Sequence, residues 1–332
     1  MSLPLSKRAL GDEMTMELGD DRVRAIWRER SGRAGRGTPA ASLQGRRVLT
    51  LESRRSPELA LLVMNYGGTP VVAPSLREVP LESNHDALAL ANDVMRQRFD
   101  LVVLMTGVGV RMWVKLVEPA VGRDAFVQAL GRSRLLARGP KPVAALRELG
   151  LTPWATVPSP NTWRELLTTL DTRSADMPLA RARVAVQEYG SPNGELVDAL
   201  ASRGASVIAV PIYRWAMPED AGPLRSAVHA IVRHEIDLVV LTAGVQLVHL
   251  LRAAADLGLE PAVRRGLARI VIASIGPMTS EELRRHGLPV DYESSHPKMG
   301  FLVKELAERC ERLVATKHGM DVPRCSEATT QG

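Results

Sequence analysis

Six short segments of this 332-residue chain combine small residues with turn formers in a way suited to holding anions. They are Thr106-Gly107-Val108-Gly109, Arg138-Gly139-Pro140-Lys141, Ser159-Pro160-Asn161-Thr162, Tyr189-Gly190-Ser191-Pro192-Asn193, Thr242-Ala243-Gly244 and Gly276-Pro277-Met278-Thr279. Between a strand and a helix, each segment offers backbone N–H groups and the positive end of a helix dipole. Arg111, Arg138, Lys141 and Lys298 lie in or near them, and acids are few. The chemistry expected of the whole set is the binding of a polyanion. The same residue types are also what strand-to-helix turns and N-caps require in any α/β protein. For single loops both readings stay open.

Absences narrow the choice. There is no G-x-G-x-x-G followed by a ribose-binding acid and no G-x-x-x-x-G-K-[ST], so nucleotide use is not expected. Thr106-Gly107-Val108-Gly109-Val110 lacks the third glycine. No Ser-His-Asp arrangement and no paired carboxylates emerge. The two cysteines, Cys310 and Cys325, and seven histidines without an i,i+4 pair give neither a disulfide framework nor a metal site.

Such loops need strands behind them and helices in front, and the chain supplies both twice. The run from Leu101 to Val108, LVVLMTGV, returns 137 residues later as LVVLTAGV, from Leu238 to Val245. Gly139-Pro140 and Gly150-Leu151 return at the same lag as Gly276-Pro277 and Gly287-Leu288, and Gly67 and Pro74 as Gly204 and Pro211. Arg47-Val48 and Ser56-Pro57 are echoed at 136 or 135 by Arg183-Val184 and Ser191-Pro192. Solenoid repeats have periods of about 20–50 residues, so this much longer period means two copies of one α/β unit.

From Arg46 onwards, apolar β-rich runs alternate with amphipathic stretches, as in parallel sheets covered by helices on both faces. In the first copy strands are predicted over 47–52, 70–79, 101–105, 133–137 and 154–157, and helices over 57–67, 84–98, 108–117, 140–149 and 161–170. In the second, strands are predicted over 183–187, 206–213, 238–241, 269–274 and 290–293, and helices over 192–203, 219–234, 244–256, 277–286 and 298–314. The fold class is α/β, with two doubly wound parallel-sheet domains, flavodoxin/Rossmann-like, that arise from an internal duplication. The proline-marked runs 71–80 and 207–218 hold equivalent positions. They read as edge strands and as paired connectors between the domains.

Composition is that of an ordinary globular protein, 45% hydrophobic and 24% charged. No apolar run reaches the roughly 18 residues that span a bilayer, and no signal peptide is legible, so membrane partners are not expected and the cytoplasm is the expected location. Of the net charge of +6, residues 1–46 hold +3, with nine basic and six acidic residues. Residues 1–43 read as a flexible basic extension and 316–332 as a flexible tail. Arg22, Arg24, Arg28, Arg30, Arg33 and Arg36 could touch nucleic acid through counterion release, but a solvated arm is the preferred reading.

Val102 to Arg111 (VVLMTGVGVR), Ala137-Arg138-Gly139 with Ala145 to Leu151 (ALRELGL), Val186 to Gly190 (VQEYG), Pro211-Ile212-Tyr213-Arg214, Ile275 to Thr279 (IGPMT) and His296 to Gly300 (HPKMG) form an ordered series. This series resembles the blocks of the uroporphyrinogen-III synthase family, over about residues 46–314. The resemblance implies a bilobal protein in which the first strand and helix pack with the C-terminal half. The domains would be residues 44–78 with 215–315, and residues 79–214, joined by a two-stranded β hinge.

It further implies a cofactor-free lyase that cyclises hydroxymethylbilane, an eight-carboxylate linear tetrapyrrole, to uroporphyrinogen III with inversion of the last ring. Tyr213 would be the proton donor to the leaving hydroxyl; for a lone strand tyrosine, packing is the alternative. Thr242 and Thr279 match substrate-contacting positions, and Thr106, Gly107, Val108, Arg138, Gly139, Lys141, Gly244 and Gly276 complete the expected substrate set. Lys141 and Gly107 depart from relatives that carry hydroxyl residues there. Partners implied are the polycarboxylate substrate and, transiently, the upstream pathway enzyme. The rival expectation is a catalytically silent tetrapyrrole- or polyanion-binding sensor of the same fold.

Overall fold

The computed structural model describes residues 41–81, 85–188, 190 and 192–319. The basic arm, Tyr189, Ser191, Cys325 and the tail from residue 320 lie outside the described residues. The first repeat runs β1 (Arg47–Thr50), α1 (Ser56–Asn65), β2 (Thr69–Val72), β3 (Arg77–Pro80), α2 (His85–Met95), β4 (Leu101–Leu104), α3 (Gly107–Val121), α4 (Arg123–Gly131), β5 (Leu135–Ala137), α5 (Pro140–Glu148), β6 (Ala155–Thr156) and α6 (Trp163–Thr172). The second repeats that order: β7 (Arg183–Glu188), α7 (Gly194–Ser202), β8 (Ser206–Pro211), β9 (Tyr213–Ala216), α8 (Gly222–Val232), β10 (Leu238–Leu241), α9 (Gly244–Asp256), α10 (Glu260–Leu267), β11 (Val271–Ser274), α11 (Pro277–Arg285), β12 (Tyr292–Glu293) and α12 (Met299–Lys317).

The repeats exchange their opening strands. One parallel sheet has the order β12-β11-β10-β1-β2 and the other β6-β5-β4-β7-β8. Each lobe therefore combines two strands of one repeat with three of the other. Both have the flavodoxin-like order, in which the switch point lies between the first and third strands. That point falls between β1 and β10 in the first lobe and between β7 and β4 in the second.

Strands β4 and β10, both Leu-Val-Val-Leu, are buried on both faces, as central parallel strands must be. Alternate residues feed opposite layers. In the first lobe Leu49, Val239 and Ile272 pack against α8, α9 and α10, while Val48, Val240 and Val271 pack against α1 and α12. In the second lobe Val102, Leu135 and Ala185 face α2, α3 and α4, while Val103, Leu136 and Val184 face α6 and α7.

The proline-bearing strands β2 and β8 lie at sheet edges, where a missing ladder donor costs least. Each expected long strand is, however, two. Ala73-Pro74-Ser75-Leu76 separates β2 from β3, and Ile212 separates β8 from β9. Strands β3 and β9 then pair antiparallel as an independent two-stranded ribbon between the lobes.

Helices α4 and α10 are additions to the expected pattern, at equivalent places in the repeats, each contributing a short apolar face (Phe126, Ala129 and Leu130; Val263 and Leu267). Residues 41–43, expected in the extension, belong to the first lobe. Leu43 is fully buried, its N–H donates to Tyr66 O at 2.7 Å, and Gly68 leaves room for its side chain. At the other end α12 continues through Lys317, whose ammonium meets Asp291 at 2.6 Å. No described helix is long and apolar enough to cross a membrane.

Candidate active site between the lobes

At the second lobe's switch point Thr106 caps α3, its Oγ1 accepting from Gly109 N at 3.0 Å. Gln187, at the end of β7, accepts from Thr106 N at 3.4 Å. The glycines of this loop have packing reasons. A Cβ on Gly107 would strike the carbonyl of Lys141, and one on Gly109 would strike the Gln187 amide. Gly139 likewise lies against Asn161. Close approach of α3 to α5 places Arg138, Gly139 and Lys141 beside Thr106, Gly107 and Val108.

The first lobe answers with different residues. Thr242 donates through Oγ1 to Glu52, in the loop after β1, and accepts from Gln246 Nε2 at 2.7 Å. Gln246 Oε1 accepts from Thr242 N at 2.8 Å and Ala243 N at 3.3 Å. Two of the N–H groups expected to bind anions in this loop, those of Thr242 and Ala243, are thus taken by the protein's own side chain. Gly244 admits Glu282, whose Cβ would lie 2.8 Å from an added methyl. Thr279 is buried in the first turn of α11, and its N–H donates to Gly276 O at 3.1 Å. Gly276 instead borders a cavity of about 470 Å³ shared by the lobes, lined by Ser159 and Pro160 on one side and Pro277, Glu293, Ser294, Ser295 and Pro297 on the other. Arg164 of the second lobe bridges to Glu281 of the first through Nη1–Oε2 at 3.2 Å and Nη2–Oε1 at 3.4 Å.

The hinge ribbon closes the floor. Directly opposed residues of an antiparallel pair share a face, so Glu78, Pro80, Tyr213 and Trp215 point one way. Tyr213 OH donates to Thr106 Oγ1 at 3.4 Å, and Glu78 meets Arg54 Nη1 at 3.2 Å. This face therefore touches loops of both switch points. Arg77, on the other face, reaches away to Met217 O and Glu219.

Tyr213 is more enclosed than the sequence reading anticipated, at 2% exposure. Burial pushes its phenol up to about 12, against a partial lowering by the Thr106 hydrogen bond. It stays protonated throughout the neutral range. Lys141 keeps an exposed surface, but partial desolvation and then Arg54 draw its ammonium below the usual lysine range. Burial raises the Glu78 carboxyl, and Arg54 opposes it.

Sequence and fold comparisons agree with the α/β fold. The model of the family described as uroporphyrinogen-III synthase HemD matches residues 57–304. The chain belongs to the uroporphyrinogen-III synthase family. It is 28% identical over 270 residues to the uncharacterized protein YjjA of Bacillus subtilis, covering 81% of this chain and 97% of that one. A crystal structure of a mutant uroporphyrinogen III synthase from the extremely thermophilic bacterium Thermus thermophilus superposes with a TM-score of 0.60 at 28% identity, covering 80% of this chain and 99% of that one.

Of the expected site residues, the structure brings Thr106, Gly107, Val108, Arg138, Gly139, Lys141 and Tyr213 together. Thr242 and Gly244 lie at the facing switch point, and Gly276 and Thr279 at the start of α11. Sequence reasoning missed Glu52, Arg54, Glu78, Gln187 and Gln246. Gln246 carried a signal, a glutamine three residues after the N-cap Ala243, where it can reach back to the cap.

Proposed function

We propose that this protein is a uroporphyrinogen-III synthase that cyclises hydroxymethylbilane between its lobes, within tetrapyrrole and heme biosynthesis in the cytoplasm. The observation that carries the reading is Tyr213, a phenol kept neutral on the hinge and hydrogen-bonded to the cap of α3. Residues 41–78 with 215–317 and residues 79–214 act as the two domains. The upstream enzyme that makes the bilane is the expected transient partner.

In this mechanism Tyr213 gives a proton to the terminal hydroxyl, which leaves as water while the pyrrole nitrogen supplies the electron pair. The substituted carbon of the last ring, a nucleophilic pyrrole carbon, attacks the exocyclic methylene of the resulting azafulvene. The spiro intermediate fragments and recloses on the other side, and the proton released as the ring regains aromaticity restores the phenol. Acid strength is a small part of this chemistry; holding a flexible chain in the geometry that inverts the ring is the larger part. The N-termini of α3 and α5, with Arg138 and Lys141, are suited to the carboxylate arms. A 470 Å³ cavity suits a drug-sized ligand, so an eight-armed tetrapyrrole requires the lobes to part.

The test is to generate hydroxymethylbilane in situ, add the protein, oxidise the products and separate the porphyrin isomers. Predominance of isomer III is expected; isomer I alone, the spontaneous product, overturns the reading. Burial of Tyr213 favours one alternative, a tetrapyrrole-binding relative without turnover. Tight porphyrinogen binding without isomer III would identify it.

A further inference from the structure

The mechanism above leaves the carboxylate on the inner face of the hinge unused. Glu78 stands at the centre of β3 with 16% of its side chain exposed, and its carboxylate meets the Arg54 guanidinium at 3.2 Å. The other nearby carboxylate, Glu52, is already occupied: it accepts from Thr242 Oγ1, from Gln246 Nε2 at 3.4 Å and from Arg55 N at 3.2 Å. Arg54 comes from the first lobe and Lys141 from the second, and the charges of both act on Glu78. Glu78 is thus a carboxylate set between cations that line the gap.

The duplication supplies an internal control. Glu78 and Trp215 are 137 residues apart and occupy equivalent places in the repeats. Gly190 follows Glu188 as Arg54 follows Glu52. In the second repeat the corresponding contact is the Trp215 ring lying on Gly190. A glycine–indole contact thus stands in one half where the other half has an ion pair. A partly buried pair adds little stability over a packed apolar contact, so architecture alone does not account for the charges in the other half.

We propose that Glu78 is an internal stand-in for a ligand carboxylate: in the empty protein it occupies Arg54, and an acetate or propionate arm of a polycarboxylate takes its place. The identity of that ligand rests on the proposed function, whereas the exchange at Arg54 does not. Glu78 then sets specificity by competition, because only a ligand with a well-placed anion displaces it.

Mellitate, the unreactive benzenehexacarboxylate, is the probe, titrated calorimetrically into the full chain and its variants at fixed ionic strength. Glu78→Gln keeps the shape and an acceptor for Arg54 but removes the competing charge, and is expected to bind mellitate about three- to tenfold more tightly. Glu78→Asp keeps the charge and is expected to show no such gain. Arg54→Gln is expected to weaken binding and to abolish the gain when combined with Glu78→Gln. With hydroxymethylbilane, the Glu78→Gln effect is expected as a lower KM, the parameter that a purely structural role would not improve. Unchanged or weaker mellitate binding by folded Glu78→Gln, a full gain that persists without Arg54, or no binding by the wild type overturns the proposal. Tighter binding by Glu78→Gln in a protein that forms no isomer III would retain Glu78 in this role and overturn the synthase reading instead.

Discussion

Glu78 and Trp215 hold the same place in the two repeats and stand directly opposite each other in the hinge. The neighbouring pairs, Arg77 with Ala216 and Val79 with Arg214, exchange under the same 137-residue lag, so an approximate twofold relation between the hinge strands passes through this pair. Residues on the inner face are thus brought together by symmetry, but their chemistry is not symmetric. Tyr213 has Leu76 as its counterpart, so one half supplies a phenol and the other does not.

Tyr213→Phe removes the donor while keeping the ring that packs edge-on to Trp215. Isomer III formation is expected to fall about 10²- to 10⁴-fold, the range for loss of a general acid, with porphyrinogen binding retained. The lost bond to Thr106 is expected to cost about 0.5–1.5 kcal/mol in denaturant unfolding. Because burial lifts the phenol to about 12, no alkaline limb from Tyr213 is expected in the wild-type rate profile below about pH 10.

Gly107→Ala drives a methyl into the Lys141 carbonyl, and backbone on both sides resists. The expected loss is about 1–3 kcal/mol, with Lys141 displaced and substrate KM raised. Gly300→Ala is the control. Its added methyl meets nothing within 4 Å in α12, and a small gain of up to about 1 kcal/mol is expected in the same melt.

The exposed Arg164–Glu281 bridge spans the lobes, so its removal is expected to change their separation more than their stability. Glu281→Gln should raise the radius of gyration in small-angle scattering and shift unfolding by less than about 1 kcal/mol. Arg164 holds the Glu281 carboxyl below the usual carboxylate range. The bridge is therefore present at neutral pH and is lost as pH falls through that depressed value, so acid should open the wild type and leave the variant unchanged.

His249 anchors the connector that leads into the hinge, its Nδ1 lying 2.7 Å from Ser75 O. Since a carbonyl only accepts, Nδ1 carries the proton in the neutral ring. Burial lowers its pKa, with the Ser75 bond opposing. The unfolded chain then takes up the proton first, and stability is expected to decline as pH drops below about 6.5. His249→Asn, whose amide can still donate, should reduce that slope between about pH 7 and 5 in urea unfolding.

The repeat made most of the fold legible, because LVVL strands and glycine-marked turns recur at a lag too regular for chance. Helices α4 and α10 escaped since each is short and follows a longer helix closely, so their periodicity merges with its end. The divided strands escaped because Ala73-Pro74-Ser75-Leu76 is a short break between Val71-Val72 and Val79, while Ser75 and His249 turn it away from the sheet through contacts distant in sequence. In the site, local signals such as the Thr162-Trp163-Arg164-Glu165 capping box are readable. The Tyr213–Thr106 and Glu78–Arg54 contacts join elements that only the hinge brings together, and a lone carboxylate on a strand carries no periodic signature.

The exchanged strands also set a timetable. Strands β4 to β8 are consecutive in the chain and can assemble as they leave the ribosome, whereas β1 and β2 need β10, β11 and β12 to complete their sheet. At about 5–20 residues per second of synthesis, β1 waits on the order of ten seconds or more while the entire second lobe is made. A pair such as β1 and β2 is too small to stand alone, so this interval leaves Val48, Leu49 and Leu51 exposed to chaperones and to mispairing. A central strand of the first sheet is thus the earliest made and among the last to be seated.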